Sequence, residues 1–348
     1  MKKFSKFKSK RKKYNYVLGV LKVILSFTVI LTHCLKIETT NNKFILFIFK
    51  RSQSIHVPAF FTLSFYFMHD HFISLKIKTL LKRIERLIIP YFGWPIIIYA
   101  LNNGIFNKLI NNIKKYPIKE LKNQILWGNR FIPQLWFQLD LIMITIIFHL
   151  FIFIFRKFHL FCLQLLAIFS YSLEYSGHNY RFYQTLKPEN KESVGRFAEV
   201  IPYTVTGFSF ASLKVFDILN AHKIKTLIFS AIALVFLEKY SVFSEIKGVR
   251  YFGFNIYVKT IFLIFIFLMF PSNKITNSKT KIFLRQLTNY TPGIFYLHYT
   301  VFVYSKMFIE SIKSGTFFGC VNIYIICYLF SFIGTKVSGK SKFKNLFA

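Results

Sequence analysis

The first apolar run of the chain, residues 16–35, is long enough to cross a bilayer as a helix, since about 20 residues suffice. It contains two ionisable residues, Lys22 and His33, which are eleven positions apart. At 3.6 residues per turn they share one face and lie about 16 Å apart. Ionisable side chains inside a membrane span are costly and usually mark a functional site. The structural alternative is a lysine whose amine reaches the membrane interface and a histidine that bonds to a neighbouring helix.

The composition of the 348-residue chain supports a membrane protein. It is 54% hydrophobic and 20% aromatic, yet carries a formal net charge of +34. A high apolar content and a high net charge conflict in a soluble domain. In a membrane protein they occupy different parts of the chain, the apolar residues in the spans and the basic residues in the loops. The basic residues stand in short blocks between apolar runs, which favours the lipid bilayer as a partner and argues against nucleic acid.

Further apolar runs follow along the chain and predict an all-α membrane protein, a polytopic bundle of about ten transmembrane helices. The predicted spans are 16–35, 55–73, 87–102, 135–155, 158–174, 198–216, 224–238, 251–270, 290–308 and 317–335. The predicted domains are a basic cytoplasmic tail (1–14), a transmembrane domain (15–336) and a second basic cytoplasmic tail (337–348). The four cysteines show no metal-ligand spacing, and we expect no bound metal.

The distribution of charge predicts the orientation. Lysine and arginine are more numerous on the side of the ten-span arrangement that carries both termini. The positive-inside rule therefore predicts a multi-pass protein with both termini in the cytoplasm. His33 would then lie towards the outer face, and Arg83 and Arg86 at the cytoplasmic mouth of the third span.

Six short segments together resemble a known family. They are Lys22 with His33, HVPAFFTLSFYF (56–67), RIERLIIPY (83–91), LWF (135–137), RFAEVIPYTVTG (196–207) and YTPGIFYLH (290–298). Their types and order resemble acyltransferase family 3, the integral-membrane O-acyltransferases of cell-surface glycans. The chain departs from the family pattern at Phe65, where a glycine usually follows Ser64, and at Lys22, where many members carry arginine.

The resemblance implies a membrane O-acyltransferase of a bacterial cytoplasmic membrane. It would move an acyl group, expected to be acetyl, from cytoplasmic acyl-CoA to a hydroxyl of a cell-surface polysaccharide or lipid-linked sugar. Acyl-CoA would be a co-substrate, and no cofactor would remain bound. A transporter or flippase of a lipid-linked glycan is the first alternative, and a degenerate sensor or scaffold of the same fold is the second.

Residue chemistry suggests roles for the strongest candidates. His33 is the predicted catalytic base, because a neutral imidazole can take the hydroxyl proton near pH 7. Arg83 and Arg86 are predicted to bind donor phosphates, although a positive-inside anchor would use the same residues. Lys22 is a second catalytic candidate, through oxyanion stabilisation; it could instead line the donor channel or pair with Asp140 or Glu199.

Other residues are predicted to line the substrate path, each with a structural alternative. Asp140 and Glu199 can form ion pairs, the latter with Arg196, while Trp136 can belong to an interfacial aromatic belt. His298 can orient the substrate or be satisfied within its helix. The full set is Ser64, Trp136, Asp140, Glu199 and His298.

Overall fold

The computed structural model describes residues 16–36, 38, 40, 42–52, 55–103, 117–128, 132–176, 188–239, 254–269, 277–306, 308–339 and 341–347. The predicted tail 1–14 lies outside these residues. Every regular element in the described ranges is a helix. The α-helices are α1 (Tyr16–Cys34), α2 (Lys43–Ser52), α3 (His56–Ile73), α4 (Ile77–Asn103), α5 (Ile118–Trp127), α6 (Trp136–Ile154), α7 (His159–Ser176), α8 (Pro188–Ser212), α9 (Val215–Ala221), α10 (Lys223–Lys239), α11 (Phe254–Met269), α12 (Ser278–Ser305), α13 (Glu310–Lys313) and α14 (Phe317–Ser338). Short 3-10 helices cover Pro133–Leu135 and Lys342–Leu346.

Each of the ten predicted spans overlaps one of the longer helices. Four helices, α1, α4, α6 and α14, are long and apolar enough to cross a membrane. The fold is therefore an all-helical membrane protein, while the number of ten spans stays a prediction. Three helices begin earlier than the apolar runs indicate: α4 includes most of the basic block before residue 87, α8 begins at Pro188, and α12 begins at Ser278. Lysine and arginine are good helix formers, so basic segments continue a helix without adding apolar surface.

The closest helix pair explains the departure at Phe65. A Cβ on Gly207 of α8 would overlap the backbone carbonyl of Thr62, so the backbones of α3 and α8 approach each other closely here. Phe65 is completely buried and packs 5.4 Å from Phe72 and 4.6 Å from Phe148, ring centroid to centroid. The phenyl ring fills the core where the family has glycine, and Gly207 supplies a close approach from the facing helix.

The functional groups are positioned by four helices that pack around a common interior. Helix α1 packs against α12, and α12 also contacts α4, which in turn packs along α6. Phe137 of α6 lies 4.9 Å from Phe295 of α12, ring centroid to centroid, which fixes the level at which these helices meet. This arrangement brings together residues that are more than 250 positions apart in the sequence.

The end of the chain folds back onto the bundle. The indole Nε1 of Trp94 donates a hydrogen bond to the Leu346 carbonyl at 3.0 Å. Lys342 pairs with Glu85 of α4 at 2.8 Å, and Leu346 is buried. Within the predicted tail 337–348, residues 341–347 therefore pack against α4 and α14.

Candidate active site

Two histidines from opposite ends of the sequence meet at one end of the bundle. His33 lies in the last turn of α1 and is exposed, whereas His298 on α12 is completely buried. Their ring centroids are 5.2 Å apart, and the ring of Tyr299 lies 6.4 Å from that of His33. An exposed imidazole and a buried imidazole therefore lie close to each other.

The backbone contact of His298 determines which of its ring nitrogens carries the proton. Its Nδ1 lies 2.7 Å from the carbonyl oxygen of Phe295. A carbonyl can only accept, so Nδ1 is the protonated donor and Nε2 of the neutral ring presents a lone pair. This Nε2 is buried and has no hydrogen-bond partner in the structure.

A third histidine, His56, is buried at the start of α3 and interacts electrostatically with His298. The sequence did not suggest a role for His56. The only indication of its importance was its position beside the segment that contains Pro58. No group of three His, Cys, Asp or Glu residues with metal-binding geometry occurs in the residues that the structure describes.

Arg83 points into the bundle from the first part of α4. Its Nε donates to the Thr145 hydroxyl at 3.4 Å, while its Nη2 is buried without a hydrogen-bond partner. Arg86, three residues further along α4, is exposed. The two predicted donor-binding arginines thus occupy different environments, and Arg83 is the one that reaches the interior.

Lys22 interacts with an aromatic ring and with Arg83. Its ammonium is 4.7 Å from the centroid of the Phe67 ring, and it interacts electrostatically with Arg83. The two roles considered for Lys22, as a residue of the donor channel or as an ion-pair partner of Asp140 or Glu199, stay predictions. Two cations side by side repel each other, and an anionic ligand would relieve this repulsion.

The remaining candidates lie on α3, α6 and α8. Asp140 is buried with Oδ2 unpaired and interacts with Arg196, whose guanidinium lies 5.1 Å from the centroid of the Trp136 ring. Glu199 is buried on α8, and Ser64 is half-buried on α3. The cation of Arg196 over the indole ring attracts it electrostatically and so helps to hold Trp136 in place.

Two polar residues that sequence reasoning missed are Gln134 and Gln138, both buried. Gln134 Nε2 donates to the Tyr296 carbonyl at 3.0 Å, and Gln138 Nε2 donates to the Leu87 carbonyl. The sequence feature that could have indicated them is the presence of two glutamines four positions apart at the start of an apolar run.

These contacts define an interior polar path with two different ends. Thr145, at the Arg83 end, and Gln134, beside α12, are eleven residues apart, or about 16 Å at 1.5 Å per residue. Lys22 and His33 have the same spacing along α1, with Lys22 near Arg83 and His33 near His298. One end therefore carries cations, and the other carries imidazoles.

A helical bundle with membrane-length apolar helices and buried ionisable groups along its interior defines a polytopic membrane protein with an internal polar site. The chain belongs to acyltransferase family 3, because the model of this family, described as an acyltransferase domain, matches residues 15–336. The resemblance seen in the short motifs is thereby confirmed, and the protein is a membrane acyltransferase. No curated protein sequence and no solved structure matches the chain.

Proposed function

We propose that the protein transfers an acyl group, acetyl in the simplest case, from cytoplasmic acyl-CoA to a hydroxyl of a cell-surface polysaccharide or lipid-linked sugar. The observation that carries this proposal is the polar path with cations at one end and the His33–His298 pair at the other. Acyl-CoA matches this arrangement, because its anionic head would bind at the cationic end and its long arm would carry the thioester to the histidine pair. The protein would lie in the cytoplasmic membrane of a bacterium with both termini in the cytoplasm.

The cationic end is the proposed site for the phosphates of the donor. Arg83 has a buried N–H group without a partner among the described residues, and Lys22 interacts with Arg83 electrostatically. Hydrogen bonds between cations and phosphate are short and strong, and the guanidinium can contact two oxygens at once. Arg86, exposed on the following turn, would contact the outer part of the same head group.

The histidine end is the proposed site of the chemistry. His33 accepts the proton of the sugar hydroxyl as its oxygen attacks the thioester carbonyl carbon. The carbon–sulfur bond then breaks, the thiolate takes a proton from the imidazolium of His33, and the ester and free coenzyme A leave. The Nε2 lone pair of His298 would accept a hydrogen bond from His33 or from the sugar hydroxyl, and so orient one of them.

The same row of buried polar groups is also what a transporter of a lipid-linked glycan would need. The test is to incubate the purified protein in lipid nanodiscs with radiolabelled acetyl-CoA and isolated lipid-linked glycans. If the proposal is correct, coenzyme A is released and the glycan becomes radiolabelled. Mild alkali should then remove the label, because it hydrolyses O-esters. Movement of glycan across proteoliposomes without any labelled ester would contradict the proposal and support the transporter.

A further inference from the structure

Gln134 and Gln138 form a pair on one face of the polar path. They are only 2% and 1% exposed, and four residues apart, so their side chains lie about one helical turn from each other. Gln138 contacts the carbonyl of Leu87, one turn along α4 from Arg83. Gln134 contacts the carbonyl of Tyr296, two residues before His298 on α12. The pair therefore lies between the cationic end and the histidine end.

The backbone contacts fix the orientation of both amide groups. In each case the amide nitrogen donates to a helix carbonyl, so the amide oxygen points elsewhere. Both Oε1 atoms are buried and have no hydrogen-bond partner among the residues that the structure describes. A buried acceptor without a partner destabilises a protein, and two at one face of a polar path indicate a ligand that supplies two donors.

The location restricts the chemistry of this ligand. Phe137 and Phe295, the chain neighbours of Gln138 and Tyr296, are buried and aromatic, and such surroundings suit an apolar chain with few polar groups. Each glutamine offers one amide oxygen as an acceptor, beside an amide nitrogen that already donates one hydrogen bond to a helix carbonyl. The matching ligand is a flexible chain with two N–H groups at a separation close to one helical turn.

We propose that Gln134 and Gln138 bind the two secondary-amide N–H groups of the pantetheine arm of acyl-CoA. This inference rests on the proposed function, because it assumes that the donor extends from Arg83 towards His298. The two amides of the arm are separated by a short β-alanine unit, which is close in length to one turn of an α-helix. The contacts hold the arm in place and position the thioester at the histidine pair.

The test measures binding of three probes to the purified full-length protein in detergent: coenzyme A, pantetheine and adenosine 3′,5′-bisphosphate. Pantetheine contains both amides but no nucleotide, whereas the bisphosphate contains the nucleotide end without the arm. Gln138→Met and Gln134→Met remove the acceptor and keep the length of the side chain. Each variant should bind coenzyme A and pantetheine about three- to tenfold more weakly, the loss typical of one neutral hydrogen bond, and the bisphosphate with unchanged affinity.

A stability measurement separates binding from folding. Each methionine variant loses one amide hydrogen bond together with a buried unpaired oxygen, so its melting temperature without probes should change little. Gln124→Met is the matched control, since Gln124 is equally buried but uses both amide atoms to hold the backbone of Ile132. This control should melt at a lower temperature and bind all three probes as the wild type does.

The outcomes distinguish this inference from the proposed function. If coenzyme A binds the wild type and both methionine variants equally, the inference is wrong and the donor site at Arg83 stands. If the wild type binds none of the probes, the proposed donor itself is wrong. If the variants change only the apparent KM for the glycan acceptor, the two oxygens face sugar hydroxyls, and the pantetheine assignment is overturned.

Discussion

The imidazole rings of His33 and His298 lie 5.2 Å apart, although they belong to helices at opposite ends of the sequence. The buried ring has its Nδ1 at the carbonyl oxygen of Phe295, so its lone pair is on Nε2. The exposed histidine, our predicted base, thus lies beside a buried acceptor of fixed orientation. This relationship assigns different roles to the two histidines, and single and double variants can test them.

Replacement of His33 should abolish proton transfer without loss of folded protein. His33→Gln keeps a hydrogen-bonding side chain of similar reach but cannot take up a proton near neutral pH. We expect O-acylation of the glycan to fall by roughly 10²–10⁴-fold, the usual range for a positioned proton-transfer group. Expression and melting temperature should stay at wild-type levels, because His33 is exposed. Acylation by His33→Gln at the wild-type rate would show that His33 is structural.

His298 should act through His33, and a double-variant cycle measures this. We expect His298→Phe, which keeps a buried ring but removes Nε2, to lower kcat about tenfold or more while the KM for acyl-CoA stays the same. Combined with His33→Gln, it should cause no further loss, because the two residues work as one unit. If the losses in kcat of the two single variants multiply in the double variant, His298 acts independently of His33. If His298→Phe lowers the melting temperature strongly but leaves kcat unchanged, His298 serves only in packing.

Arg83 should dominate donor affinity because it is the interior arginine of the pair. Arg83→Met should raise the apparent KM for acyl-CoA by about tenfold or more, since a charge-assisted hydrogen bond contributes about 1.5–3 kcal/mol and 1.4 kcal/mol corresponds to a factor of ten. Arg86→Ala should have a smaller effect, and Arg86→Lys should recover part of it. Arg285→Met, which removes an exposed arginine from α12, is the matched control and should leave the KM unchanged. If Arg83→Met retains wild-type KM, Arg83 is an anchor for the helix.

The orientation can be measured with single cysteines at exposed lysines, in a background with Cys162 changed to serine. The other native cysteines, Cys34, Cys320 and Cys327, are buried. If both termini are cytoplasmic, Lys119→Cys should react with an impermeant maleimide added outside intact cells. Lys76→Cys should react only after the membrane is permeabilised. The opposite labelling pattern would reverse the orientation and place the cationic end of the path outside the cell.

Much of the fold could be predicted from the sequence because membrane-length apolar runs and helical periodicity are local properties. The spacing of Lys22 and His33 predicted their separation along one helix, and the short motifs predicted the family that the match over residues 15–336 confirms. Helix limits were less accurate where basic segments such as the start of α4 continue a helix. The departure at Phe65 is explained only by the structure, in which Phe148 and Gly207 complete the packing from other helices.

The partners of the site residues were decided by the tertiary structure alone. The sequence placed Arg83 and Arg86 together, but packing of α4 against α6 turns Arg83 inward and leaves Arg86 exposed. It likewise left several roles open for Lys22, and only the structure shows its electrostatic interaction with Arg83. The periodicity of a helix determines which residues share a face, but not which helix lies opposite. That choice depends on contacts between distant segments, and it brings His298 to His33.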